Sequence, residues 1–91
     1  MRIRWTPAAA EDLESISDYL RRNFPSFAQS TIQEIYRTIV SLKTMPNRGR
    51  IGLEDGTREL VIPKLPYLAV YRVKGEAIEV LHIYHGAQDR P

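Results

Sequence analysis

The spacing of apolar residues changes once along this chain, from a helical period to an alternating one. Up to about residue 45, apolar side chains recur every three or four positions, whereas beyond residue 58 they alternate with polar side chains or form β-branched runs. The first pattern indicates amphipathic helices, and the second indicates strands with a buried face. The order of the two patterns therefore favours an α+β fold, with helices before most of the strands.

Two helices are predicted in the first half of the chain. Thr6 and Pro7 form a start signal, because threonine caps a helix N-terminus and proline fits its first position. Pro25 interrupts the pattern, since the residue before a proline disfavours helical geometry. A second helix is expected to run to about Met45, ahead of Pro46, and the short connection predicts an antiparallel hairpin. The apolar stripe of this hairpin comprises Leu13, Ile16, Leu20, Phe24, Ala28, Ile32, Ile35, Tyr36, Ile39 and Leu42.

Four strands complete the predicted fold. The first covers residues 2–5, and three more follow a glycine-containing loop that spans residues 46–58. The later strands are RELVI, PYLAVYRV and AIEVLHIYH, the last two joined by a tight turn at Gly75. Spacing alone leaves the place of the first strand in the sheet open. We expect a single domain over residues 1–91: a helical hairpin packed on one face of a small, largely antiparallel β-sheet, with the other face available for function.

The composition narrows the range of functions. The apolar content of 43% indicates a globular chain, and the absence of cysteine excludes disulfides, thiolate zinc sites and cysteine nucleophiles. The net charge of +2 comes from mixed acids and bases, so bulk charge does not indicate strong nucleic-acid binding. We find neither a bilayer-length apolar run nor a signal-peptide pattern, and we expect a cytoplasmic protein without a membrane association.

Two histidines near the end of the chain suggest acid–base chemistry. His82 and His85 lie three residues apart in a strand, so they point to opposite faces and cannot form a side-by-side pair. We expect His82 to pack in or near the core, whereas His85, at the strand end, suits a functional and a structural role equally. A metal site formed with Asp89 matches no ligand spacing and is rejected, and we expect no metal or other cofactor.

Three arginines in or after the loop are candidates for anion recognition. Arg48 and Arg50 flank a glycine and could grip a phosphate or a partner's carboxylate, although a solvated turn is favoured there. Arg58 enters the second predicted strand, where binding an anion and pairing across the sheet are equally compatible with its position.

The ordered segments RWTPAAAEDLESISDYL, MPNRGR, TRELVIPKLPYLAVYRV and IEVLHIYHGAQDRP cover nearly the whole chain. In this order they resemble the ParE branch of the RelE/ParE toxins of bacterial type II toxin–antitoxin modules. The resemblance implies two N-terminal helices against a curved antiparallel sheet, and a cytoplasmic toxin masked by a cognate antitoxin. ParE-like toxins poison DNA gyrase, whereas RelE-like toxins cleave mRNA in the ribosomal A site.

The resemblance also separates the two branches by residue type. RelE-like nucleases carry basic residues on the central strands and near the end of the sheet. Here Arg58 is followed by apolar residues, Leu68 takes the place of an arginine early in the next strand, and Gln88 takes the place of the terminal basic residue. A nuclease without those cations has little to stabilise a pentavalent phosphate, which favours the ParE branch. His85 could substitute for the missing terminal group.

The sequence thus predicts a toxin that inhibits DNA gyrase without catalysing a reaction, with the C-terminal run from Gly86 to Pro91 meeting gyrase. An antitoxin is expected to bind by strand addition and by a helix in a groove. One alternative is a ribosome-dependent mRNA endonuclease that uses His85, Arg58 and Tyr67; another is a binding module that keeps antitoxin affinity but has lost its poison. The predicted functional surface comprises Arg58, Tyr67, Arg72, His85, Gln88 and Arg90.

Overall fold

A computed structural model describes residues 1–86 of the 91-residue chain. It confirms a helical hairpin against a largely antiparallel sheet. The elements are β1 (Arg2–Trp5), α1 (Pro7–Asn23), α2 (Pro25–Val40), a 3-10 turn (Ser41–Lys43), β2 (Arg50–Ile51), β3 (Arg58–Val61), β4 (Tyr67–Lys74) and β5 (Ala77–His85).

The start of α1 is fixed to the sheet by the residue that caps it. The Thr6 hydroxyl accepts the Ala9 N–H at 3.2 Å, as expected for an N-cap, and also donates to the Val80 carbonyl at 2.8 Å. The Thr6 side chain therefore caps α1 directly after β1 and attaches the helix to β5.

The second helix ends earlier than predicted. Regular α-helix stops at Val40 and tightens into the 3-10 turn, where the Ser41 hydroxyl and the following amides satisfy the last carbonyls. The predicted apolar stripe also included two residues that do not lie in the core. Phe24 is the exposed junction between the helices, and Tyr36 lies at the margin of the core, where its ring contacts Trp5 at 5.5 Å.

The strands form one sheet in the order β1-β5-β4-β3-β2. β1 pairs with β5 in parallel, and every other pair is antiparallel. The prediction of a loop over residues 46–58 is wrong in one respect, because Arg50 and Ile51 within it form the short edge strand β2.

An extra residue in β5 changes the alternation of its side chains. Val70 of β4 pairs with His82, and the next residue, Tyr71, pairs with Val80, so Leu81 has no partner opposite. A bulge of this kind lets two residues separated by an odd step face the same side. Val80 and Ile83 both join the core, while His82 turns to the opposite face together with Val70.

Tyr71 joins the core to the loop before β2. Its ring is fully buried, its hydroxyl accepts the Gly49 N–H at 2.9 Å, and it donates to the Pro46 carbonyl at 2.7 Å. A Cβ atom at Gly49 would lie 2.7 Å from the Tyr71 ring, so this close approach requires glycine. The loop that leads into β2 therefore depends on one buried hydroxyl.

Replacing Tyr71 with phenylalanine removes that hydroxyl and leaves a buried N–H and a carbonyl without their partner. We expect Tyr71→Phe to lower the free energy of unfolding by about 1–3 kcal/mol, measured by urea denaturation. Tyr36→Phe is the matched control, because the Tyr36 side chain is 46% exposed, and its effect should stay within about 0.5 kcal/mol. Equal losses in the two variants would contradict the role given to the Tyr71 hydroxyl.

Candidate functional site

The predicted functional residues lie in separate parts of the molecule. Arg58 is on the helix side of β3, opposite Tyr71, where its guanidinium donates to the carbonyls of Gly49 at 2.8 Å and Asn47 at 3.3 Å. Tyr67 lies four residues from Tyr71 along β4, which places it about 13 Å from the position of Arg58. Arg58 holds the loop before β2 and is not part of the same cluster as Tyr67 and His85.

Arg72 belongs to a line of charges that crosses the sheet face opposite the helices. We call these five side chains the charge ladder: Arg4 on β1, Glu79 on β5 and Arg72 on β4 are directly paired, and so are Glu59 on β3 and Arg50 on β2. Glu59 lies opposite Val70 of β4, two residues from Arg72. Positive and negative side chains alternate from strand to strand, because directly paired residues of neighbouring strands share a face.

Short ion pairs are observed at both carboxylates of the charge ladder. The Glu79 carboxylate lies 2.8 Å from Arg4 Nη1 and 2.6 Å from Arg72 Nε, and the Glu59 carboxylate lies 3.0 Å from Arg50 Nη2. The two carboxylates are 3% and 5% exposed, whereas the arginines remain partly in water. Buried carboxylates require such partners, since an unpaired buried charge costs several kcal/mol.

The electrostatic effect is clearest at Glu79. The hydrogen bond from Arg72 lowers the pKa of its carboxyl, with further attraction from Arg72, Arg4 and Lys74, and burial opposes this shift. The ionised form is therefore favoured in the folded protein. Arg50, predicted as a possible anion contact, is likewise paired with a carboxylate, and Arg48 donates to the Ser41 hydroxyl at 2.6 Å.

Tyr67 and His85, two of the predicted functional residues, lie side by side in the sheet. They pair across β4 and β5, with ring centroids 5.6 Å apart in an edge-on arrangement. Both line a cavity of about 500 Å³ between α1 and the end of β5, which we call the α1–β5 cleft. Its lining includes Asp12, Ser15, Tyr19, Tyr67, Ile83 and His85. Burial raises the pKa of the Tyr67 hydroxyl, and the neighbouring Tyr19 raises it further, so this phenol stays protonated.

His82 departs from its prediction. It was expected in or near the core, but its side chain is 43% exposed and stacks on Tyr84, with centroids 5.2 Å apart. The bulge at Leu81 is the physical reason, because it removes His82 from the face that carries Val80. His82 lines a different cavity from the one that His85 lines, so the expected separation of the two histidines is confirmed.

Asp12 was not predicted as a functional residue, yet it connects α1 to this part of β5. Its Oδ2 accepts a hydrogen bond from His82 Nδ1 at 3.1 Å and from the Ile83 N–H at 3.0 Å. Spacing could not reveal this pair, because the residues are 70 positions apart and β5 is irregular there. Glu79 could have been recognised, since it is an acid between the apolar residues Ile78 and Val80 of a predicted strand.

The end of the chain, metal sites and membrane spans are the remaining subjects of the predictions. Gln88, Arg90 and all but the first residue of the Gly86–Pro91 run lie beyond the described residues. Within residues 1–86, no cluster of three or more histidine and acidic side chains could hold a metal ion. Neither helix in this part of the chain is long and apolar enough to span a bilayer.

The lowered pKa of Glu79 gives a pH-dependent prediction. Its ionised form contributes stability above the usual carboxyl pKa, and this contribution is lost as pH falls through the folded-state pKa. Glu79→Gln should therefore be less stable than the native chain at pH 7, and the gap should narrow on acidification from pH 5 to pH 3 in denaturation curves. Glu76→Gln, in the exposed turn before β5, is the control and should show no such gap. A gap of constant size across this range would contradict the ion-pair account.

Known proteins with the same arrangement place the chain in a family. The profile described as the ParE toxin of the parDE type II toxin–antitoxin system matches residues 3–90. The chain is 34% identical to protein Y4kP of Sinorhizobium fredii, named as a candidate toxin, over 99% of this chain and 93% of that protein.

A solved structure agrees with the sequence matches. The chromosomal ParDE toxin–antitoxin system from P. aeruginosa contains a chain that superposes with a TM-score of 0.85 at 33% identity, covering 93% of this chain and 95% of that one. The family profile and the relative at 34% identity cover almost the entire sequence. The resemblance drawn from the segments is therefore confirmed: the chain belongs to the ParE family, the toxins of ParDE type II toxin–antitoxin systems.

Proposed function

We propose that this toxin acts by inhibiting DNA gyrase and does not cleave RNA. The charge ladder is the observation that carries this proposal. RNA cleavage without a metal needs cations that are available to the developing charge on phosphorus. Arg4 and Arg72 instead share the buried carboxylate of Glu79, and Arg50 is paired with Glu59. Guanidinium groups held in this way offer little net positive charge to a phosphate.

The distances between candidate catalytic groups support the same conclusion. A nuclease that used Arg58, Tyr67 and His85 together would need all three around one phosphate. Arg58 is instead engaged with two loop carbonyls, about 13 Å along the sheet from Tyr67. Tyr67 and His85 adjoin Asp12, whose negative charge would repel a phosphate. These positions favour a toxin that works by binding.

The ParDE family implies a cognate antitoxin, which we propose covers the exposed apolar side chains. Exposed apolar side chains commonly mark contacts with a partner where they lie together. Tyr19, Phe24 and Phe27 are exposed at the turn of the helical hairpin, and the rings of Tyr19 and Phe24 are in contact. Ile51, Leu53 and Val61 are exposed on β2, after it and on β3.

Individual target contacts remain proposals. We retain Arg72 and His85 as surface candidates, together with Gln88 and Arg90 in the run that we propose meets gyrase. Tyr67 is only 6% exposed, so we retain it only where its ring lines the α1–β5 cleft. Arg58 is the weakest of the six, because loop carbonyls already engage its guanidinium.

The proposal predicts the outcome of an assay with purified DNA gyrase. The refolded, antitoxin-free chain should block supercoiling of relaxed plasmid and cause linear DNA to accumulate, because trapped gyrase leaves broken strands. The chain incubated with plasmid in the absence of gyrase is the control, and it should leave the DNA intact.

Folded protein that leaves supercoiling unchanged would overturn the gyrase proposal. Ribosomal A-site cuts in mRNA that disappear in His85→Ala would then support the endonuclease alternative. Absence of both activities, with antitoxin binding intact, would identify a binding module that has lost its poison.

A further inference from the structure

We infer that the α1–β5 cleft binds a basic side chain, arginine or lysine, of a partner protein. The inference goes beyond gyrase inhibition and does not depend on it, because it follows from the chemistry of the cleft alone. A cavity of about 500 Å³ can hold an alkylguanidinium or alkylammonium group, and it combines one carboxylate with aromatic rings and an apolar floor.

Asp12 provides the charge for this site. Both of its hydrogen bonds, from His82 and from the Ile83 N–H, use Oδ2, and Oδ1 is left for a ligand. The contact with a backbone amide of β5 fixes the orientation of the carboxylate before any ligand arrives. The Asp12 side chain is 32% exposed, so a cation can reach it from the solvent. A preoriented carboxylate binds a cation more strongly than a mobile one, because less side-chain entropy is lost.

Aromatic side chains provide the second element of the site. Tyr19, Tyr67 and His85 all line the cleft. Tyrosine rings attract cations through their electron-rich faces, and the raised pKa of Tyr67 keeps its hydroxyl neutral. Phe24, whose ring centroid is 6.1 Å from that of Tyr19, extends the apolar rim. Such a rim suits the aliphatic stem of arginine or lysine.

The surrounding charges favour a cation over an anion. The acids of α1 lie in its first twelve residues, and its two arginines come after them, in the last turn. Of these arginines, Arg21 lies 3.9 Å from Asp18. No arginine or lysine lines the cleft, and His85 in its lining and His82 beside Asp12 carry positive charge only when protonated. With neutral histidines, a phosphate or an acidic peptide would be repelled.

A titration with a small basic probe tests the site in the intact chain. N-acetyl-L-arginine methylamide, followed by NMR, should give a saturable shift of the Ile83 amide, which donates to Asp12. The lysine analogue should act similarly, and the uncharged citrulline analogue should not. We expect Asp12→Asn to raise the Kd about fivefold or more, and Tyr19→Leu to raise it about two- to fivefold.

Asp18→Asn is the matched control, because it removes the same charge from the same helix outside the cleft, and it should change the Kd by less than about twofold. Tyr19 is 50% exposed, so Tyr19→Leu keeps the test valid even if Asp12→Asn disturbs the fold. Absence of a saturable shift, an equal response to citrulline, or equal losses in Asp12→Asn and Asp18→Asn would each overturn the inference.

Discussion

The extra residue at Leu81 determines the direction of the side chains in the second half of β5, and the α1–β5 cleft depends on it. Before the bulge, Val80 faces the core while Glu79 faces the open side of the sheet; after it, Ile83 faces the core and His82 lies on the open side. β1 pairs with β5 only up to Val80. From there on, α1 and its N-cap contact β5, because Thr6 is hydrogen-bonded to Val80 and Asp12 to Ile83. The bulge thus places Ile83 and His85 along the α1–β5 cleft, whereas the ion pairs of Glu79 lie in the regular part of β5 before it.

The two surfaces differ in their electrostatic character. On the open face, arginines exposed to water are held by carboxylates that are almost fully buried, which stabilises the sheet and reduces its attraction for phosphate. In the cleft, a single oriented carboxylate lies among aromatic rings, and no arginine or lysine lines the cleft. A ParE-family toxin with these surfaces is suited to binding proteins, and the cognate antitoxin that the family implies is one such partner.

Hydrophobic periodicity was sufficient to predict the helical hairpin and four of the five strands in the described part of the chain, because 3.6-residue and two-residue patterns follow directly from backbone geometry. It was not sufficient for β2, since two residues within a glycine-containing loop carry no periodic signal. It also misplaced His82, because a bulge reverses alternation without changing composition. Tyr67 and His85, both predicted as functional residues, lie side by side, whereas Arg58 was grouped with them although it lies on another part of the sheet. Contacts such as Asp12–His82 join residues 70 positions apart, and local patterns do not record them.

The central claim is that this toxin poisons a DNA-bound enzyme by binding and does not cut RNA. Mapping DNA and RNA ends in the same culture, shortly after the chain is expressed without antitoxin, tests it most directly. The account predicts that double-strand DNA ends accumulate while mRNA ends on translating ribosomes stay unchanged. New mRNA ends at ribosomal A sites, with intact DNA, would contradict it.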